Sequence, residues 1–169
     1  MRPPDGDTMT LEHRIAGLFR LDEQGWIRHA NPWSFWTRIP LLALITLAIW
    51  SRAWIGVWSL VPIGLLALWA WVNPRAFPPP SSMERWVSKA VLGERLWAAR
   101  DARPVPRHHR RAPVVLSLLA LVGVPFLAFG LWKLEIWPVV VGLVLVHVFK
   151  LWFLDRMVWL FEDMHDPGY

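Results

Sequence analysis

The chain has 169 residues, of which 55% are apolar and 18% charged, with 14 Trp and no Cys. That is a single domain's length, too apolar for a disordered segment and below the roughly 25% charged content of ordinary soluble domains. The lack of cysteine excludes disulfides, thiolate nucleophiles, Cys-ligated zinc and iron–sulfur centres, and the meaning of the +5 formal charge depends on where the charges sit.

Residues 1–30 read as a cytoplasmic segment. Asp7 or Thr8 caps a short amphipathic helix running to about Leu21, with Leu11, Ile15, Leu18 and Phe19 at helical spacing, and Gly25 ends that region. The first 38 residues are charged throughout and lack the apolar stretch of a secretory signal, so the first spanning helix is expected to act as its own uncleaved insertion signal. Asn31-Pro32 starts that helix, since Asn is a good N-cap and Pro suits the first helical position. Pro40 interrupts it about two turns later, which predicts a bend.

Four apolar runs approach the roughly 20 residues needed to cross a bilayer: Ile39–Trp50 with its extension toward Ile55, Val57–Val72, Val114–Trp132 and Ile136–Leu154. The breaks after the first and third runs are too short for a domain. The expected fold is therefore all-α, a polytopic membrane protein with four transmembrane helices arranged as two hairpins, at residues 31–73 and 113–169. Asn73-Pro74 closes the second run, and Pro78-Pro79-Pro80 stiffens the exit. Pro62 and Pro125 each sit mid-run, where kinks free carbonyls. Gly123 and Gly130, with Gly64 in the second run, offer small-residue contact faces.

Residues 74–112 form a cytoplasmic loop between the hairpins, and the pattern predicts an interfacial helix over 82–102. Ser81 and Glu84 make a capping box. Met83, Trp86, Val87, Ala90, Val91 and Trp97 share a side opposite Arg85, Lys89, Arg100 and Arg103, as in a helix lying among head groups. Glu94 breaks the apolar face, either snorkelling, meeting an Arg of its own bundle, or aimed at a site on the inner surface. Arg100–Arg111 reads as an extended basic linker, with His108-His109 solvated within it.

Lys and Arg set the orientation. Five precede the first run and nine lie in the central segment, against Arg52 and Lys133 at the two short turns. That bias puts both termini and the loop in the cytoplasm of a multi-pass inner-membrane protein. It makes anionic lipid head groups, rather than nucleic acid, the partner of the basic residues. Trp33, Trp36, Trp69, Trp71, Trp152 and Trp159 fall near the inner boundary, and Trp50, Trp54, Trp58, Trp132 and Trp137 near the outer one. Two such belts are what indoles form at head-group depth, and no cofactor is expected.

The fourth run continues past the membrane edge without Gly or Pro until Pro167, as a cytoplasmic helical extension. It carries the polar candidates His147, Lys150, Asp155, Arg156 and Glu162, to which Glu94 and Arg38 are added from elsewhere. Ionisable groups inside hydrocarbon are expensive and point to function by default. His147 serves as a proton relay, an axial ligand or a hydrogen bond to another helix. Lys150 is a snorkelling anchor or part of a substrate path, and Asp155 and Arg156 neutralise each other or partners at the boundary. Glu162-x-x-His165 is one half of a di-metal carboxylate motif, a weak metal candidate in single copy. No catalytic set, nucleotide loop, nucleophile elbow or HExxH motif is present.

The segments HANPWSFWTR (29–38), WVNPRAFPPP (71–80), SKAVLGERLW (88–97) and KLWFLDRMVWLFEDM (150–164) resemble an uncharacterised family of small bacterial and archaeal integral membrane proteins. Its marks are the Asn-Pro-Trp-Ser and Leu-Asp-Arg-Met motifs, and the resemblance runs from about Trp26 to Met164. It implies no activity, cofactor or catalytic residue. The expectation is a non-enzymatic membrane protein that self-associates or serves as an accessory subunit of a larger membrane complex. The alternatives are a small oligomeric transporter or channel with a path past His147 and Lys150, and an interfacial enzyme acting on lipid.

Overall fold

The computed structural model describes residues 23–100 and 104–165. These residues form helices α1 (Glu23–His29), α2 (Pro32–Arg38), α3 (Leu41–Trp50), α4 (Arg52–Ile55), α5 (Leu60–Ala76), α6 (Trp86–Ala98), α7 (Arg111–Lys133) and α8 (Ile136–His165), with 3-10 turns at Gly56–Ser59 and Arg107–His109. There is no strand among the described residues. The helix expected before Leu21 lies outside them. Gly25, expected to end that region, is instead buried within α1.

Three stretches are long and apolar enough to cross a membrane: Pro32–Ala76, Arg107–Lys133 and Ile136–His165. Only 6%, 22% and 17% of their most apolar windows are buried inside the protein. Large apolar surface left open in this way marks contact with a membrane or partner.

The Pro32–Ala76 stretch contains two of the four predicted runs and is not one straight rod. Its start is as expected: Asn31 Oδ1 accepts from the Trp33 N–H at 2.9 Å, and Pro32 takes the first helical position. Pro40, which lacks an N–H, separates α2 from α3. Beyond Trp50 the chain turns through α4 and the 3-10 turn, with Gly56 at φ 56°, ψ −130°, a conformation that side chains resist. α3 and α5 then pack together, and Ser34 Oγ donates to Asn73 Oδ1 at 2.8 Å, so the two ends of the stretch meet. Two expectations need correction here. Asn73-Pro74 does not end α5, which continues to Ala76, and Pro62 lies in its first turn, where a missing N–H costs no helical hydrogen bond. Pro125 is inside α7 as expected.

α7 and α8 pack along their length, joined by a turn in which Leu134 is left-handed (φ 58°) and the Glu135 N–H bonds Gly130 O at 2.9 Å. Their backbones nearly touch: a Cβ added to Gly123 would lie 2.7 Å from Gly142 O, and one added to Gly142 would lie 2.7 Å from Gly123 O. Gly123 and Gly130 are therefore contact residues, as expected, but within the chain. Gly64 faces open space. Arg52 links the two short turns, donating to Leu131 O at 2.5 Å and Trp132 O at 3.2 Å.

The buried core lies at the arginine-bearing end, where Phe35 of α2, Val87 and Ala90 of α6, Leu116 of α7 and Phe153, Leu154, Met157 and Leu160 of α8 meet. α6 is shorter than the expected 82–102. It begins after Arg85 without a side-chain cap, and the Ser81/Glu84 capping box does not form; the Glu84 N–H bonds Ser82 Oγ at 3.2 Å instead. Part of its apolar face is buried against protein. Val87, Ala90 and Val91 are buried, α6 packs on α8, and a Cβ on Gly93 would overlap the Met157 carbonyl. The small residues Ala90 and Gly93 admit α6 to the apolar stripe on the C-terminal half of α8.

Candidate functional site

At the same end, α2, α6 and α8 surround a cavity of about 320 Å³ lined by His29, Arg38, Glu94, His147 and Lys150 among Phe35, Ile39, Leu42, Val91, Val146, Leu151 and Leu154. This is the size and character of a small-molecule site: mostly apolar walls with a few convergent polar groups. Four of the seven residues singled out from the sequence, Arg38, Glu94, His147 and Lys150, come together here. The other three, Asp155, Arg156 and Glu162, do not line it.

Each polar group has a definable state. Lys150 Nζ donates to Glu94 Oε1 at 2.7 Å and lies 4.8 Å from the Phe153 ring centroid. The carboxylate on the apolar face of α6 is thus a partner for a lysine of α8. The Arg38 guanidinium lies against the His29 imidazole. His29 has its pKa pushed down to about 3, first by burial and then by the positive charges of Arg38 and Lys150, so at neutral pH it is an uncharged partner for Arg38. The cavity then holds two cations against one carboxylate.

His147 occupies the inner wall. Its Nδ1 is 2.8 Å from Leu143 O and its Nε2 3.1 Å from Ile39 O. Both nitrogens lie within hydrogen-bond distance of backbone carbonyls, which places His147 as a tie between α8 and the chain just before Pro40, the hydrogen-bonding option among its three sequence readings.

The remaining polar candidates are accommodated separately. Asp155 Oδ1 accepts from Trp86 Nε1 at 3.3 Å, and its Oδ2 lies 3.8 Å from Arg156, whose guanidinium is 3.8 Å from the Trp159 ring centroid. Arg156 Nε is buried with no hydrogen-bond partner among the described residues. Glu162 Oε1 accepts from Lys89 Nζ at 2.9 Å, whereas His165 stacks on Phe161 and its Nδ1 is 2.9 Å from Phe161 O. The Glu162-x-x-His165 pair does not converge.

A model of a family of unknown function, DUF6653, matches residues 10–168. The chain belongs to that family. No curated protein matches, and no solved structure matches. Membership covers the segments on which the resemblance rests and assigns no activity.

Sequence reasoning missed two features of this family member. His29, four residues after Gly25, was passed over because a lone histidine before a helix cap carries no periodic signal. The His108-His109 pair is not a solvated linker: it forms a 3-10 turn, His109 is buried, and both rings reach Asp163 on α8. The only trace in the sequence was the adjacency of the two histidines. The carboxylate that orders them lies 54 residues from His109.

Proposed function

We propose that this chain is a non-enzymatic protein of the cytoplasmic membrane whose cavity holds the head group of an anionic amphiphile at the inner leaflet. It crosses the bilayer four times as two hairpins, with both termini and residues 74–112 in the cytoplasm. Residues 32–50 span roughly 28 Å at 1.5 Å per residue, and the 17 residues of α5 roughly 25 Å, close to the hydrocarbon thickness. The reversal at Gly56 supports two crossings there, and the crowding of arginine at one end supports the orientation. The protein works as a homo-oligomer or as an accessory subunit of a larger membrane complex. The supporting role first read for Gly123 and Gly130 is taken up inside the chain, so self-association rests on the open apolar flanks.

The observation that carries the ligand reading is the pairing of Arg38 and Lys150 across an apolar-walled cavity with Glu94 as its one carboxylate. A guanidinium whose direct partner is an uncharged imidazole is free to take a phosphate or carboxylate oxygen. Ile39, Leu42 and Val146 suit the first part of an acyl chain. Native mass spectrometry of the protein from mixed phosphatidylglycerol–phosphatidylcholine micelles tests this. Preferential retention of phosphatidylglycerol, lost in the double variant Arg38→Gln/Lys150→Gln, is expected. Equal retention of both lipids by the unaltered protein overturns it.

A further inference from the structure

We propose that His108, His109 and Asp163 bind one divalent transition-metal ion of the zinc class, clipping the start of α7 to the end of α8. The ligand-type atoms of these three residues lie within 4.8 Å of one another. His108 Nε2 and His109 Nε2 stand 2.8 Å and 2.7 Å from the same oxygen, Asp163 Oδ2. Two neutral imidazoles and one carboxylate are the donor set that zinc accepts, with a fourth position left to water. Two hydrogen bonds to one carboxylate oxygen already hold both rings beside Asp163, so the three donors are gathered before an ion arrives.

Coordination needs side-chain rotation and no backbone shift. Around an ion with ligand distances of roughly 2.0–2.2 Å, tetrahedral donors sit about 3.3 Å apart, so each imidazole must retreat about half an ångström from the oxygen, and the two imidazole nitrogens, whose separation lies within the 4.8 Å span of the group, must close toward each other. His108 and Asp163 are exposed and can turn, while His109, 5% exposed, is held by its surroundings. The two open side chains also give the ion its way in. Of the neighbouring cations, Arg110 is turned aside by its Nε bond to Val105 O at 3.1 Å. Arg107 and Arg111 oppose an added positive charge, which favours a site of moderate affinity. Glu162 is held by Lys89, so the carboxylate that matters is its neighbour Asp163.

The ion would join segments distant in sequence and so stabilise the folded chain by mass action. Full-length protein carrying no polyhistidine tag, purified in mild detergent and dialysed against zinc, decides the matter. One zinc per chain is expected, with a thermal transition that rises with zinc concentration. Asp163→Asn and His108→Gln each weaken binding at least about tenfold, while Glu162→Gln leaves it unchanged. His109→Gln is set aside as the primary variant because the ring is buried; His108 and Asp163 are exposed and keep the test independent of folding. Substoichiometric zinc in the unaltered protein, or wild-type affinity in both exposed-site variants, overturns the proposal. Phosphatidylglycerol retention is read on the other cavity and is unaffected by either result.

Discussion

At Gly123 and Gly142 two helices meet backbone to backbone, whereas around Asn73 and Glu94 the helices are joined by side-chain hydrogen bonds and an ion pair. In the proposed membrane setting the two regions answer different solvents. Lipid tails are as apolar as leucine, so helices immersed in them associate by close packing and not by hydrophobic burial. The arginine-bearing end has both resources: Met157 and Leu160 are fully buried there, and polar side chains connect the elements around them. The glycine contact tolerates no added atom, while the polar end should fail gradually as single bonds are removed.

The largest effect is expected at the glycine contact. Gly142→Leu forces a side chain into the Gly123 carbonyl and should cost at least about 3 kcal/mol, as severe overpacking does. The loss would appear as a lowered thermal transition in detergent, while Gly64→Ala, in open space, should leave the transition unchanged or slightly raised. Equal behaviour of the two variants would erase the proposed contrast.

A smaller effect is expected at Asn73, which is fully buried. Its Oδ1 accepts from Ser34, and its Nδ2 donates to Thr37 Oγ1 at 2.7 Å. Asn73→Leu leaves the buried Ser34 hydroxyl without that acceptor and should cost about 1–3 kcal/mol. Hydrogen exchange should locate the loosening at α2 and the end of α5, with α7 unaffected.

The third expected effect is one of pH, small just below 6.5 and growing as the solution is made more acid. Because the folded pKa of His29 is lowered to about 3 from the usual 6.5, both folded and unfolded chains carry it neutral above 6.5. Below 6.5 the unfolded chain takes up a proton that the folded chain resists, so stability falls with pH down to about 3. Limited proteolysis within α1 should speed up over that window, and His29→Gln should remove the His29 part of the dependence. An α1 that stays equally protected in acid would mean that His29 is not held neutral by its surroundings.

Much of the fold was legible because each local rule acted alone. Asn31 and Pro32 cap and start α2 without help from elsewhere, Pro40 divides the helix wherever it is placed, and α8 runs unbroken to His165 because nothing in its sequence stops it. The candidate site was legible only in part. Arg38, Glu94, His147 and Lys150 stood out as charged or polar groups in apolar surroundings, yet nothing in their spacing said that three elements bring them to one cavity. The partner of α6 was illegible for a related reason: a small apolar face opposite arginines fits a lipid surface and a helix neighbour equally well, and the close approach of Gly93 to Met157 shows only once α8 is beside it.

The sequence by itself determined the apolar stretches, their caps and breaks, and the crowding of arginine at one end, since these follow from local backbone chemistry and from the cost of placing charge in hydrocarbon. Tertiary structure alone decided the partners. Gly123 meets Gly142, Lys150 meets Glu94, and His108 and His109 meet Asp163. Such pairings depend on which helices come within a few ångströms of each other, and residue order along one chain does not encode that distance directly.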